Sequence, residues 1–115
     1  ETMSEVQILH NPRCTKSRQT LELLLENNLK PTITEYLKDS PTPEEIKNLA
    51  GKLNLNPSQF LRKGEYAKLG IQMAESEAGL IQQMAKFPIL IERPIVIHGS
   101  RAKIGRPPES VLEIL

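Results

Sequence analysis

The chain has 115 residues, of which 38% are hydrophobic and 3% aromatic, and its 15 basic and 14 acidic side chains give a formal net charge of +1. This length suits a single domain over residues 1–115, and the apolar runs are too short to cross a membrane. Because the charge is balanced and aromatic platforms for base stacking are scarce, we expect no nucleic-acid partner.

The first third of the chain predicts a strand, a helix and a second strand. Residues 6–10 alternate loosely and precede a turn. A helix follows through about Asn27, and Thr15 or Ser17 is its predicted cap. Its predicted apolar stripe consists of Leu21, Leu24 and Leu25. Residues 32–36 alternate and are rich in β-branched side chains, so they predict a second strand that pairs in parallel with the first.

The middle of the chain is predicted to be helical. Thr42 and Glu45 have the spacing of a capping box and mark a helix start. Further helical pieces are predicted after Asn56 and over about residues 75–86. These pieces form a helical insertion over about residues 40–88.

The last third predicts two strands and a final helix. Residues 94–98 and 101–104 flank a tight turn at Gly99-Ser100, as in a hairpin. A helix then begins at Pro107. The full order is β-α-β, a helical insertion and β-β-α. This order is typical of the α/β thioredoxin-like fold, with a small mixed four-stranded sheet covered by helices.

Cys14 is the only cysteine and lies at the turn into the first predicted helix. Free N–H groups and the dipole at a helix N-terminus favour a thiolate and lower a cysteine pKa. His10 can stabilise the thiolate as well. The nearby basic side chains are Arg13, Lys16 and Arg18. Ser17 occupies the second position of a Cys-x-x-Cys pattern, so it can donate a hydrogen bond but cannot resolve a disulfide. We predict a nucleophilic thiolate; the alternative is a small cysteine that only packs.

Three arginines lie beside the predicted turns, and one proline opens the third strand. The arginines are Arg62, Arg93 and Arg106. Arginine presents a rigid fork of donors that suits tetrahedral oxyanions, so three of them near a thiolate would hold a divalent anion. The alternative is that each is a solvated surface residue. Pro94 is a candidate for a structural cis proline, and the alternative is an ordinary edge-strand proline.

The single cysteine also bears on location and on metals. It can form neither an internal disulfide nor a cysteine-rich zinc site. Because no secretion signal is visible, we expect a protein of the reducing cytoplasm. The spacing of His10, Cys14 and His98 does not suggest a metal site. We therefore expect no bound metal. His98 is expected to be structural or exposed. We also expect the protein to be a monomer.

Four ordered blocks of the sequence resemble the glutaredoxin-coupled arsenate reductases, an ArsC-like family. The first runs from His10 to Leu21 and includes Cys14. The other three are Leu61-Arg62-Lys63, residues 88–96 and residues 104–114. Together the blocks cover nearly the whole chain from Val6. Thr15 and Lys16 occupy the positions of the Gly-Thr pair usual in that family, which favours a separate branch of it.

The resemblance implies a reaction and a role for each matched residue. Cys14 would attack arsenate to form a cysteine-arsenate adduct, which glutathione and glutaredoxin would reduce until arsenite leaves. The implied oxyanion ligands are Arg62, Arg93 and Arg106. His10 would help to lower the pKa of Cys14, Ser17 would hydrogen-bond the thiolate, and Pro94 would be the cis proline. The resemblance implies no bound cofactor, since glutathione acts as the reductant.

Two other functions fit the same residues. A branch of similar fold contains regulators that bind RNA polymerase, so the chain is alternatively a non-catalytic adaptor for the polymerase or for another protein. The Cys-x-x-Ser form also fits a monothiol disulfide reductase that acts on glutathione mixed disulfides.

Overall fold

The structure is a computed structural model that describes residues 6–115. These residues separate into two compact units. The first comprises the chain up to Tyr36 together with Arg93–Leu115, and the second is Leu37–Glu92. The second unit is wider at both ends than the insertion predicted over about residues 40–88. The single domain over residues 1–115 stays a prediction.

The first unit contains a four-stranded sheet and one α-helix. Its elements are β1 (Val6–Leu9), α1 (Thr15–Glu26), β2 (Thr32–Thr34), β3 (Ile95–His98) and β4 (Arg101–Ile104). The strand order is β2-β1-β3-β4. β1 pairs in parallel with β2 and antiparallel with β3, and β3 pairs antiparallel with β4. The predicted α/β class with a small mixed sheet is confirmed.

The core of the first unit joins the sheet to α1 and to the C-terminal segment. Ile8 is opposite Ile33 in one pair and Val96 in the other. The buried members of this core are Val6, Ile8, Leu24, Val96, Val111 and Ile114. Burial of these side chains is the main stabilising contribution to the unit.

The first helix differs from the prediction in its cap and in its buried face. Its N-cap is Cys14, so the predicted cap at Thr15 or Ser17 is wrong. Leu24 is fully buried, but Leu25 is 55% exposed and does not belong to the core stripe. The other two buried positions of the helix are Ser17 and Thr20, at helical spacing with Leu24. The inward face therefore begins with two polar residues, which an apolar pattern cannot reveal.

The C-terminal segment Pro108–Ile114 is a 3₁₀ helix rather than an α-helix. The Nδ1 atom of His98 donates to the carbonyl oxygen of Ile114 at 2.6 Å. The imidazole thereby ties β3 to this segment, and the predicted structural role of His98 is confirmed.

Gly99, in the turn between β3 and β4, has a φ of 65°, a left-handed conformation that glycine adopts at little cost.

The second unit is helical. It contains α2 (Pro43–Leu53), α3 (Glu65–Leu69) and α4 (Glu77–Lys86), with short 3₁₀ turns at Pro57–Gln59 and Pro88–Leu90. Its buried hydrophobic side chains include Ile46, Leu49, Phe60, Leu80, Met84 and Leu90.

The start of α2 agrees with the sequence, whereas α3 was not predicted. The Glu45 amide donates to Thr42 Oγ1 at 3.1 Å, and the Thr42 amide donates to Glu45 Oε1 at 2.8 Å. This reciprocal pair is the predicted capping box. α3 has only 5 residues, too few for a repeating apolar stripe to identify it. Within residues 6–115, no helix combines the length and apolar character needed to cross a bilayer.

Candidate active site

Cys14 is held at the junction of the loop after β1 and the start of α1. The Asn11 side chain folds back so that its Oδ1 accepts the Arg13 amide at 3.0 Å. The Cys14 amide donates to the Asn11 carbonyl oxygen at 2.9 Å, and the Cys14 carbonyl oxygen accepts the Arg18 amide at 3.0 Å. Asparagine favours such turns because its side chain replaces a backbone acceptor. The loop thus places a half-buried thiol at the helix N-terminus.

Several donors surround the sulfur atom of Cys14. Burial by itself would raise the pKa of the thiol, but the backbone N–H groups of Ser17 and Lys16 and the Arg93 guanidinium outweigh burial and lower this pKa. The Nη2 atom of Arg106 also lies 3.6 Å from Sγ. Hydrogen bonds and positive charge favour the anionic form, so this environment favours a thiolate.

The Arg93 guanidinium interacts with the side chains of Cys14 and Tyr36. Burial would lower the pKa of Arg93, but its interactions with Tyr36 and Cys14 raise it overall. Two of its nitrogen atoms, Nε and Nη1, are buried and have no hydrogen-bond partner. A buried donor without a partner costs about 1–3 kcal/mol. Arg93 therefore has unsatisfied donors on a side chain that interacts with the thiol, and arginine donors suit an oxyanion.

Arg106 reaches the sulfur because of contacts with the loop before β3. Its Nε atom donates to the carbonyl oxygen of Arg93 at 2.7 Å. The Gly105 amide donates to the Pro94 carbonyl oxygen at 2.9 Å. The Arg93–Pro94 peptide bond is cis, and so is the Arg106–Pro107 bond. The segments that carry the two arginines are thus fastened to each other beside Cys14.

Gly105 permits this approach because it has no side chain. A Cβ atom added at Gly105 would lie 2.6 Å from Thr20 Oγ1 and 2.9 Å from Pro94 Cγ. Both neighbours are fixed, since Thr20 is fully buried and its hydroxyl donates to the Lys16 carbonyl oxygen at 2.8 Å. Any larger residue would push apart the chain that carries Arg106 and the helix that begins at Cys14.

His10 and Ser17 form a buried pair behind the cysteine loop. His10 Nδ1 lies 2.6 Å from Ser17 Oγ, which also accepts the Asn11 amide at 3.0 Å. Burial, aided by the charge of Arg18, lowers the pKa of His10 despite the opposing effect of Glu35. The ring is therefore neutral at neutral pH, and its Nδ1 can accept the Ser17 hydroxyl proton; this tautomer is assigned from the hydrogen-bond pattern.

The roles of His10 and Ser17 therefore need correction in one respect. The Ser17 hydroxyl is engaged by His10 and Asn11, whereas the backbone N–H of Ser17 is the group that lowers the pKa of Cys14. The expected hydrogen bond from the hydroxyl to the thiolate is replaced by one from the main chain. The direct effect of His10 on Cys14 stays a prediction.

Arg62 is in the second unit and has carboxylate partners. Its Nη1 atom lies 3.2 Å from Glu92 Oε1, and its Nη2 atom lies 3.4 Å from Glu65 Oε2. An isolated antiparallel bridge between Leu61 and Ile91 brings the two chain segments together. Arg62 Nε is buried without a hydrogen-bond partner. The predicted oxyanion ligand is thus held between two acidic side chains.

The structure brings Cys14, Arg93 and Arg106 together in the first unit, with His10, Ser17 and Pro94 around them. It adds residues that the sequence analysis missed, namely Tyr36, Thr20 and Gly105. Gly105 had a usable signal, since a glycine directly before a site arginine and a proline suggests a close backbone approach. Tyr36 had none beyond its place after a strand, because its contact with Arg93 depends on the folded chain.

Comparison with known proteins identifies the family of this chain. The family model described as "ArsC family" matches residues 9–114. An arsenate reductase of Haemophilus influenzae is 44% identical over 112 residues, which cover 94% of this chain and 97% of the relative. The Escherichia coli protein described as "Uncharacterized protein YfgD" is 43% identical over 115 residues, which cover 96% of this chain and 97% of that protein.

A solved structure shares the fold as well as the sequence. The arsenate reductase from Vibrio cholerae superposes with a TM-score of 0.87 at 43% identity, and the match covers 99% of this chain and 100% of that one. Both the sequence and the three-dimensional arrangement are thus shared over almost the full length. The chain therefore belongs to the ArsC family, whose solved members have this thioredoxin-like fold.

Proposed function

We propose that this protein is a thiol-dependent arsenate reductase in which Cys14 is the nucleophile and Arg93 and Arg106 bind the oxyanion. The observation that carries the proposal is the Arg93 guanidinium, which contacts Cys14 and keeps two buried nitrogen atoms without partners. A tetrahedral oxyanion bound there would accept a hydrogen bond from the guanidinium and would place its central atom within reach of the sulfur. The names of the relatives support arsenate as that oxyanion.

The first chemical step is a displacement at arsenic. The Cys14 thiolate attacks arsenate, a sulfur–arsenic bond forms, and one arsenic–oxygen bond breaks with release of water after protonation of the leaving oxygen. The arsenic is still pentavalent in this adduct. Arg93 and Arg106 would balance the negative charge that concentrates on the remaining oxygens. The lowered pKa of Cys14 supports this step because it increases the fraction of the nucleophile that is ionised at a given pH.

The reduction needs two electrons from outside this chain. The sequence has one cysteine, so it cannot form an internal disulfide as the oxidised product. We assign glutathione as the reductant and glutaredoxin as its partner. Two glutathione thiols are oxidised to one disulfide, arsenate loses one oxygen as water, and arsenite leaves with regeneration of the Cys14 thiol. The family resemblance also implies a third oxyanion ligand, Arg62, and we include it in the proposal.

The two alternative functions make less use of the site. A monothiol disulfide reductase needs the ionised Cys14 but gives no reason for unpartnered guanidinium donors. A polymerase-binding regulator needs neither feature. The Arg93 donors therefore favour the oxyanion substrate.

The test is an arsenate reduction assay with glutathione and glutaredoxin. We expect turnover by the natural chain and none by Cys14→Ser, which keeps the size of the residue but lacks a competent nucleophile. A parallel assay with a glutathione mixed disulfide and a pull-down of RNA polymerase subunits examine the alternatives. Absence of arsenate turnover in the natural chain, or equal turnover in Cys14→Ser, contradicts the proposal.

A further inference from the structure

The cysteine loop, residues 10–14, joins β1 to α1 and is only partly buried. His10 and Asn11 are buried, whereas Pro12 and Arg13 are exposed. The hydrogen bonds of Asn11 to its neighbours hold the buried part of the loop. Exposed loop backbone is mobile unless its polar groups have partners in the protein. The conformation of the loop therefore depends also on what binds its exposed carbonyl groups.

Arg18, in the first turns of α1, binds the exposed part of this loop. Its Nη1 atom donates to the Pro12 carbonyl oxygen at 3.0 Å, and its Nη2 atom donates to Thr15 Oγ1 at 3.3 Å. Its backbone amide donates to the Cys14 carbonyl oxygen at 3.0 Å. The guanidinium thus joins a loop residue before the cysteine to the first residue of the helix after it.

The two acceptors suit an arginine and no other side chain. Pro12 has no N–H group, so its carbonyl oxygen is the only backbone group through which this position can be held. The two terminal nitrogen atoms of a guanidinium lie in one rigid plane, so one side chain can hold two acceptors at a fixed spacing. A lysine ammonium is a single point on a flexible stem and lacks this spacing.

The position of the loop matters to the sulfur atom. The backbone N–H groups of Lys16 and Ser17 help to lower the pKa of Cys14. Both groups belong to α1, whereas Cys14 is the N-cap and ends the loop. Movement of the loop against the helix would therefore separate the sulfur from these donors. Arg18 is not among the groups that shift the pKa of Cys14 directly, so its effect on the thiol depends on position.

We propose that Arg18 is a positioning residue whose guanidinium joins Pro12 to Thr15 and thereby holds the Cys14 sulfur against the first turn of α1. This inference deepens the proposed function and rests on it for the identity of the oxyanion that the thiol attacks. The positional part, that Arg18 acts on Cys14 through the loop, stands on the hydrogen bonds of the free protein.

Arg18→Lys tests this role because it keeps the positive charge and removes the fork. The electrostatic effect of residue 18 on the pKa of His10 is thereby retained. Arg13→Lys is the matched control, since it makes the same exchange at an exposed arginine directly beside Cys14. Cys14 ionisation is measured by the ultraviolet absorbance of the thiolate, and arsenate affinity is measured by calorimetry without glutathione. Thermal unfolding checks that both variants are folded.

We expect Arg18→Lys to raise the pKa of Cys14 by roughly half a unit, because the sulfur spends less time beside the helix N–H groups. Arsenate affinity should fall about threefold, because the thiol and the oxyanion site are less well aligned. Arg13→Lys should change neither quantity. A pKa of Cys14 that is the same in Arg18→Lys and in the natural chain would overturn the proposal.

A double-mutant cycle tests whether Arg18 acts through its bond to Thr15. Thr15→Val removes the hydroxyl acceptor and keeps a branched side chain, so it should raise the pKa of Cys14 by less than Arg18→Lys does. In the Thr15→Val background, Arg18→Lys should then cause a smaller shift than in the natural chain, because one of its two bonds is already lost. Fully additive shifts would contradict the inference.

The thiolate titration separates this inference from the proposed function. It needs neither arsenate nor glutathione, so it reports on the loop alone. If the natural chain does not bind or reduce arsenate, the proposed function fails, and the titration of Arg18→Lys still decides whether Arg18 positions the thiol.

Discussion

Arg93 and Arg62 are the same residue type and received the same prediction, but their surroundings differ. Arg93, in the first unit, has a thiol and a phenol as partners and keeps two buried nitrogen atoms without partners. Arg62, in the second unit, forms ion pairs with Glu65 and Glu92. Arg93 thus has no carboxylate partner among these contacts and keeps donors available for an anionic ligand, whereas the charge of Arg62 is already shared by two carboxylates. The partners of an arginine, rather than its presence in a motif, indicate what it does in the free protein.

The largest expected effect comes from removing each arginine in turn. Arg93→Ala should weaken arsenate binding about a hundredfold and raise the pKa of Cys14, because it removes charge-assisted donors beside the thiol. Its thermal midpoint should change little, since the removal of buried donors that have no partner offsets the loss of the interaction with buried Tyr36.

Arg62→Ala should have a different profile. The pKa of Cys14 should be unchanged, because Arg62 is not among the groups that shift it. Unfolding free energy should fall by about 1–3 kcal/mol, because the nearly buried Glu65 carboxylate loses Arg62 and keeps only the exposed Lys68 at 3.8 Å. Thermal unfolding and thiolate titration of both variants provide the comparison. Identical profiles for the two would contradict the distinction drawn between them.

An intermediate effect is expected at Gly105. Gly105→Ala forces its new methyl group to within 2.6 Å of Thr20 Oγ1, so it should destabilise the protein by about 1–3 kcal/mol and weaken arsenate binding through displacement of Arg106. Gly51→Ala is the control, because it adds a methyl group in open space on α2. It should be neutral or stabilising by up to about 1 kcal/mol. Adding Thr20→Ala to Gly105→Ala should restore part of the loss, and a lack of rescue would argue against the steric account.

The smallest expected effect is a pH dependence of stability that originates at Cys14. The pKa of Cys14 is lower in the folded protein than its ordinary value, so ionisation favours folding. This contribution is fully present above the ordinary thiol pKa of about 8.5 and is lost as the pH falls through the lowered value. The stability difference between the natural chain and Cys14→Ser should therefore shift toward the natural chain as the pH rises. If the stability difference between the two proteins did not vary with pH over this range, the folded protein would not favour the Cys14 thiolate.

The sequence was informative where a local pattern determines the structure. The strands alternate, the capping box at Thr42 and Glu45 is a short-range motif, and the chain order β-α-β followed by β-β-α leads to the observed sheet. Cys14 could be placed at a helix start for the same reason. Chain order and local hydrogen bonding leave few alternatives for such elements.

The features that the sequence missed depend on contacts between distant residues. Ser17 and Thr20 are buried in α1 because His10 and the Gly105 segment pack against them. The predicted apolar stripe contained neither residue and included the exposed Leu25. The Tyr36 contact with Arg93 joins residues 57 positions apart (93 minus 36). No periodicity records either contact. The partners of the arginines became visible only in the folded chain.

The most direct test of the central claim is the pH dependence of Cys14 alkylation by iodoacetamide, measured with and without arsenate. The claim is that Cys14 is a thiolate poised beside an oxyanion site formed by Arg93 and Arg106. Alkylation should persist well below the ordinary thiol pKa of about 8.5, and arsenate should slow it by occupying the site. The claim would be contradicted if the alkylation rate followed the ordinary thiol pKa and arsenate gave no protection.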